Sequence, residues 1–360
     1  MLKGLKKQVK RVLRAARYAP LKRTVINAHH DVSTFDRSKV FDARKYGFNL
    51  TESRCYCLTE DNWQDYITTW ESYQPRLGNA KYSLISDDKL LFSQVLGNVV
   101  EVPHNYAMVV EGIVEPCGED EISNETLYTF LVERNGGVLK PRCGYDGYGI
   151  HVYTTDGESL LEHGKKVTKA EFDSFVSQLP ESLVQNRMQQ GAFENRIFDR
   201  AVNTVRIISI KKKHSHEHEI VAAVHRFGTS RSAPVDNFAQ GGGSALIDLE
   251  TGRLSAMTCV DSISETGERQ FFDVHPDTGA QIRGEVVPHW DRIKDAVITA
   301  TRKCPYFNYI AWDVVVTDEG IAVIEMNMKS TLNVFQVHGG MRNALLGQKY
   351  REYGYITDKR

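Results

Sequence analysis

The chain has 360 residues, 41% hydrophobic and 25% charged, with a formal net charge of -1 and a pI near 6.9. That length predicts about two domains with a sizeable core, and the near-neutral balance argues against bulk nucleic-acid binding. No apolar run approaches a membrane span.

Six cysteines, at 55, 57, 117, 143, 259 and 304, do not make a disulfide framework in a chain this long. Cys55-Tyr56-Cys57 lacks a matching second pair, so no zinc site is expected. The basic amino terminus lacks the apolar core of a secretion signal. The chain reads as reduced and cytoplasmic.

Residues 1–23 carry nine positive charges, from Lys3 to Arg23, with no acid before Asp31. Leu2, Leu5, Val9, Val12, Leu13 and Ala16 recur at helical spacing, which predicts a basic helix with one apolar stripe. Two settings suit it: the anionic inner face of a membrane, or packing against its own protein or a sister chain. Pro20 is expected to end it.

Residues 24–80 are mixed. Trp63 to Tyr73 reads as an amphipathic helix broken by Pro75 and Gly78. Ile85 to Leu96 reads as a second helix, capped by Ser86 or Asp87. Lys89 falls in its first turn, where a cation opposes the helix dipole. That disfavoured placement points to function.

The next stretch is Leu139-Lys140-Pro141-Arg142-Cys143-Gly144-Tyr145-Asp146-Gly147-Tyr148-Gly149-Ile150-His151. Alternating flanks (Val138, Ile150, Val152) predict a hairpin with Gly144, Gly147 and Gly149 at its tip. Glycine N–H groups can cradle phosphate oxygens, and Lys140 enters the loop beside them. Gly149 is followed by Ile-His rather than Lys-Ser/Thr, which excludes a P-loop. The glycine spacing excludes the dinucleotide fingerprint, and a kinase has its lysine after the loop.

Leu127–Arg134 and Glu171–Leu179 read as helical or apolar segments, and Leu183 to Met188 as a strand. Val202 to Ile210 predicts a strand with Thr204, Arg206, Ile208 and Ile210 on one side. An arginine on such a face needs a fixed anionic partner. Ile220 to Phe227 returns with Arg226. His214, His216 and His218 alternate like a metal tract, but their charged surroundings favour a solvated turn. A second glycine loop, Val235-Asp236-Asn237 to Gly241-Gly242-Gly243, follows.

Ile310 to Thr317 and Ile321 to Asn327 read as paired core strands. Glu325 and Asn327 are two apart and share a side, and Asp313 on the partner strand can join them. Two carboxylates and an amide oxygen suit magnesium at a triphosphate. With lysines and a glycine loop upstream, the set is what in-line phosphoryl transfer needs.

As an ordered set these motifs resemble the ATP-grasp superfamily. Asn203-Thr204-Val205-Arg206, Arg226-Phe227-Gly228, Val235-Asp236-Asn237 with its glycines, and the Thr251-Gly252 turn narrow the likeness to the sugar-transfer-associated ATP-grasp family, over roughly residues 80 to 340. The resemblance implies an α+β ATP-grasp fold, two sheet-bearing lobes clasping ATP. The expected lobes are 115–188 and 189–335, after a basic helix at 1–23 and a region at 24–114, and before a helix and tail at 336–360. It further implies that Lys89 and Lys140 reach the ATP phosphates and that Gly144–Gly149 closes over them. Gln185, Asn186 and Met188 would border the adenine, with Asn203 nearby. Asp313, Glu325 and Asn327 would hold Mg2+, and Arg206 and Arg226 would steady oxyanions.

The activity so implied is ATP- and Mg-dependent joining of a carboxylate to an amine through an acyl phosphate, on a small-molecule or glycan-precursor substrate in surface-polysaccharide synthesis. No nucleic-acid partner is expected. One departure stands out: many such ligases carry an arginine two residues before the aspartate, and here that position is Ala311. A phosphotransferase acting on a hydroxyl, and a membrane-attached nucleotide-binding protein without turnover, stay open as alternatives.

Overall fold

A computed structural model describes residues 17–28, 40–144, 148–264, 266–328 and 330–356. The chain divides into two compact units: residues 78–260 with 271–330, and residues 1–77 with 261–270 and 331–360.

The larger unit contains two antiparallel sheets. The first is built from β1 (Asn105–Val110), β2 (Ile113–Pro116), β3 (Gly137–Pro141), β4 (His151–Thr155), β5 (Leu160–Glu162), β6 (Lys165–Val167) and β7 (Ser182–Gln185), in the order β2-β1-β7-β3-β4-β5-β6. It therefore begins at residue 105, ten residues before the expected lobe border at 115. Helices Leu127–Glu133 and Lys169–Val176 cover one face, burying Leu131, Phe172 and Val176 against Leu139 and Tyr153. The expected hairpin pairs Val138 with Val152 and Leu139 with His151. Leu139 faces this core, so period-two alternation turns Lys140 to the opposite face.

The second sheet holds β8 (Thr204–Lys211), β9 (His218–Phe227), β10 (Gly243–Ile247), β11 (Leu254–Cys259), β12 (Tyr309–Val316) and β13 (Ile321–Asn327), in the order β11-β10-β9-β8-β12-β13. Its covered face packs Val205, Ile207, Trp312, Val314 and Val323 against Ile293, Val297 and Ala300 of helix Trp290–Lys303. Phe92 and Leu96 of helix Lys89–Leu96 join the same core. Side chains one residue out of phase, Thr204, Arg206, Arg226 and Asp313, are thereby presented on the other face.

One irregularity decides what β13 presents. Asp313 pairs with Glu325, but its neighbour Val314 pairs with Val323, so Ile324 is an extra residue on β13. Strict alternation from Ile321 and Val323 would turn Glu325 into the apolar core. The bulge reverses the phase, sending Met326 into the core and Glu325 and Asn327 out beside Asp313.

In the smaller unit the helix expected at 63–73 lies at Thr69–Asn79, with Pro75 inside it, after a short 3-10 turn at Trp63–Asp65. A mid-helix proline costs about 3 kcal/mol. Tertiary contacts offset that cost, among them the buried pair of Glu71 with Arg342 at 2.7 Å. Pro20 does not end its helix either: residues 17–27 are helical, and the Pro20 carbonyl accepts a hydrogen bond from Thr24 Oγ1 at 3.2 Å. The apolar stripe expected over residues 2–16 lies outside the described residues. The closing helix spans Leu345–Tyr353.

His218 corrects the reading of the histidine tract. His214 and His216 are exposed on the turn, but His218 starts β9, is 4% exposed and lies 3.3 Å from Ser209 Oγ. Burial pushes its pKa down to about 4, so it is a neutral core imidazole. Among the described residues no three His, Cys, Asp or Glu side chains gather as a metal cluster.

Candidate active site

The site is assembled where helix Lys89–Leu96 meets the ends of β3 and β13. Asp88 caps that helix, accepting hydrogen bonds from the Leu90 and Leu91 amides at 2.9 and 3.1 Å. Its other oxygen takes Arg142 Nε and Nη2 at 2.9 and 2.6 Å. Burial alone would raise the Asp88 pKa; Arg142 and the two amides outweigh it and hold the carboxyl below its ordinary value. The Lys89 amide also donates to the Arg142 carbonyl at 3.1 Å. This cap fixes Lys89 against the glycine loop, with Nζ 3.0 Å from the Gly144 carbonyl and 3.8 Å from Glu325 Oε1.

Lys140, from β3, comes to the same place. Among the described residues its ammonium has no hydrogen bond or ion pair. Its pKa falls to about 8, first through burial and then through the like charge of Lys89, with Glu325 opposing. Two lysines close together, one of them unpaired and largely desolvated, make an arrangement that an anion would stabilise. Of the loop beyond, Gly144 is half-buried and Gly149 is exposed with φ +70°, a conformation that favours glycine. Gly147 lies outside the described residues.

On the second sheet Arg206, Asp313 and Glu325 lie abreast on adjacent strands. Arg206 grips Asp313 with two parallel bonds, Nε to Oδ1 and Nη2 to Oδ2, the latter at 2.8 Å, and its Nη1 donates to Ser330 Oγ at 2.8 Å. The anionic partner required of a core-strand arginine is thus Asp313. Arg226 Nη2 is 3.3 Å from Asp313 Oδ2. Burial would raise the Asp313 pKa, but the two guanidiniums hold it lowered. Asn327 Nδ2 lies 3.2 Å from Glu325 Oε2 and 3.5 Å from Asp313 Oδ2.

Behind these stands Asp236, from the second glycine loop. It accepts hydrogen bonds from Thr204 N, at 2.9 Å, and from Thr204 Oγ1, and lies 3.4 Å from Arg226 Nε. Burial raises its pKa, against the pull of Arg226 and Thr204.

Lys89, Lys140, Gly144, Arg206, Arg226, Asp313, Glu325 and Asn327 are thus brought to one region. Gln185 and Asn186 lie at the end of β7: Gln185 Nε2 donates to Asn105 Oδ1 at 2.6 Å, and the Asn186 amide donates to the His104 carbonyl at 3.1 Å. Met188 is half-buried just beyond, its sulfur 3.6 Å from Asn186 Nδ2. Among the described residues the Arg187 and Met188 backbone amides have no hydrogen-bond partner, which leaves them open to a ligand edge.

Asn203 is a correction. It is fully buried, and its amide group is spent on protein: Nδ2 donates to the Phe198 carbonyl and Gln190 Oε1 at 2.7 and 3.0 Å, and Oδ1 accepts from Gly228 N at 2.8 Å. It braces the loops flanking β8 and does not line the site. Asp88, Arg142, Thr204, Asp236 and Ser330 were missed. The first had a signal, an aspartate directly before Lys89; Asp236 lay within a motif but carried no sign of its partner.

The two antiparallel sheets, with Lys140 on one, an acid–arginine row on the other and Lys89 on a helix that reaches both, define an ATP-grasp architecture. The chain belongs to the sugar-transfer associated ATP-grasp family, whose model matches residues 69–347. The expected fold is borne out, and with it membership of a class of ATP-using enzymes. No curated protein is significantly similar in sequence.

Among solved structures the chain is similar to the ATP-grasp ligase PsnB bound to a minimal precursor, Mg and ADP (13% identity, 75% of this chain and 60% of that one, TM-score 0.37). It is also similar to a D-alanine–D-alanine ligase from Bacillus anthracis (13%, 75% and 63%, TM-score 0.36) and to the VanG D-Ala:D-Ser ligase from Enterococcus faecalis (12%, 73% and 61%, TM-score 0.38). The chain spans less than two thirds of the length of these structures. The family assignment rests on the sequence match. No helix among the described residues is long and apolar enough to cross a membrane.

Proposed function

We propose that the protein is an ATP-dependent carboxylate–amine ligase acting in the modification of a surface polysaccharide or glycan precursor. The observation that carries this reading is Lys140: a half-buried ammonium, unpaired among the described residues, close to Lys89, which itself lies 3.8 Å from Glu325 of the second sheet. Such an amine is stabilised by a polyanion, and a triphosphate between the two sheets would supply it. Residues 115–188 and 189–335 would form the clasping lobes.

Lys89 and Lys140 would neutralise phosphate oxygens, Gly144 and its loop would close over them, and Gln185 to Met188 would border the base. The donor set fits magnesium. Glu325 is 28% exposed at its side chain and Asn327 stands beside it, while no full protein cage forms among the described residues. Magnesium takes few protein ligands and keeps substrate oxygens. Glu325, Asn327 and Asp313 would hold it, and when bound it would neutralise charge on the transferring phosphoryl group.

In the reaction a carboxylate oxygen attacks the γ-phosphorus, and the bond to the β–γ bridging oxygen breaks, releasing ADP. The amine then attacks the acyl carbon, the bond to the phosphate oxygen breaks, and an amide, phosphate and the amine proton result. With Ala311 at the position where many such ligases have arginine, the positive charge would come from the neighbouring strands, from Arg206 on β8 or Arg226 on β9.

A screen for ADP release against amino acids and uronic acids, singly and paired, tests this. Hydroxylamine added to an active pair should trap a hydroxamate. ADP release with a phosphorylated alcohol and no hydroxamate would instead establish a phosphotransferase.

A further inference from the structure

The two arginines of the site are equally enclosed, with side chains 13% and 12% exposed, but they are not equally occupied. Arg206 uses all three guanidinium nitrogens, Nε and Nη2 on Asp313 and Nη1 on Ser330. Arg226 uses two. Nε donates to Thr204 Oγ1 at 3.0 Å and faces Asp236 Oδ2 at 3.4 Å; Nη2 lies on Thr204 Oγ1 and is 3.3 Å from Asp313 Oδ2. Among the described residues Nη1 of Arg226 has no partner.

The hydrogen-bond directions explain how this guanidinium is held. Thr204 donates both its amide and its hydroxyl to the same oxygen of Asp236. Its hydroxyl proton being committed there, the Thr204 oxygen can only accept, and it accepts from Arg226. Thr204 and Arg226 are cross-strand neighbours on β8 and β9, so the contact is built into the sheet. Asp236 is 7% exposed, and its Oδ2 is taken up by Thr204 and Arg226. The result is one guanidinium edge fixed by three side chains and one edge left for a ligand.

We propose that Arg226, rather than Arg206, binds the reacting oxyanion, and that Asp236 is the positioning residue that aims it through Thr204. The ligand is a planar or tetrahedral oxyanion, either the substrate carboxylate or the phosphoryl group in transfer. Arg206 is a structural clamp on Asp313. This inference rests on the ATP-dependent reading above and deepens it.

The test uses the full chain loaded with MgADP, titrated with inorganic phosphate in one arm and acetate in the other. Wild type should bind at least one of them, and which one tells the phosphoryl source from the carboxylate. Asp236→Asn and Arg226→Lys should each weaken that anion about tenfold or more, the scale of a lost charge-assisted hydrogen bond. MgADP affinity should be kept in both, a split that mere loss of structure would not produce. Asp236→Glu, which keeps the carboxylate and its charge, should recover part of the anion affinity. Failure of wild type to bind MgADP would overturn the nucleotide reading itself. MgADP binding with no anion bound, or with anion affinity equal in wild type and both variants, would overturn the Arg226 assignment alone.

Discussion

Arg206 and Asp313 face each other across β8 and β12, and the guanidinium spans both carboxylate oxygens. Asp313 is 3% exposed, so removing the arginine leaves a buried charge with the more distant Arg226 and Asn327 contacts. Arg206→Met is expected to cost about 3–5 kcal/mol, while a paired Arg206→Met, Asp313→Leu chain should recover most of it. Urea denaturation of the three chains checks this; a single variant within about 1 kcal/mol of wild type would mean that the pair is not the clamp described.

Lys140 gives a pH dependence with opposite signs for stability and for binding. Its folded pKa, about 8, lies below the ordinary lysine value of 10.5. Between those values the unfolded chain holds more protons, so stability contributed by this group rises with pH across that window. Over the same window the ammonium that should meet the phosphates is lost, and ATP affinity of the free protein should fall. Lys140→Met should remove both trends. Thermal melts and ATP titrations across pH 7 to 10 measure them; a variant that keeps the wild-type affinity profile would show that another group titrates.

Asn203 separates structure from binding. Asn203→Ala leaves the buried Gly228 amide without its partner and removes one of the two side-chain donors to the Phe198 carbonyl, the other being Gln190 Nε2. A loss of about 2–4 kcal/mol in stability is expected from unsatisfied buried groups, with ATP affinity kept by the folded fraction. Unchanged stability with lost affinity would return Asn203 to the nucleotide site.

The basic amino-terminal stretch should serve location rather than chemistry. Each basic residue near an anionic surface contributes about 1 kcal/mol, screened over roughly a Debye length. Co-sedimentation with anionic vesicles should be strong at low salt and fade as salt rises. A chain lacking residues 1–23 should lose the vesicles and keep ATP turnover. If that chain changes oligomeric state or unfolds, the helix is a packing element.

The parts of the site legible in the sequence were those where chemistry-bearing residues interrupt a clear period. Lys140 ends an alternating strand, and Asp313 and Glu325 stand among apolar residues. The bulge at Ile324 was not legible, because a register shift is set by pairing with β12 and leaves no mark in the pattern of β13 itself. The helix at Lys89 was foreseen, but its cap was placed at Ser86 or Asp87; Asp88 takes the role because Arg142, distant in sequence, holds its second oxygen. Pro75 was read as a breaker, since local propensity does not show the tertiary contacts that override it, and Pro20 likewise lies inside a helix among the described residues. Asn203 was misplaced for a related reason: a strand-edge amide beside a functional arginine looks the same in sequence whether it faces ligand or loop.

Lys89, Lys140 and the Asp313–Glu325–Asn327 group are together expected to hold ATP with magnesium. Calorimetric titration of ATP into the full chain, with magnesium and then with a chelator, tests it without knowledge of the substrate. Binding to wild type should weaken on chelation, and Lys140→Met should weaken it at least about tenfold, the scale of one lost charge contact. Glu325→Gln should blunt the response to magnesium. ATP binding that is absent in wild type, or that is the same with and without magnesium and in both variants, would contradict it.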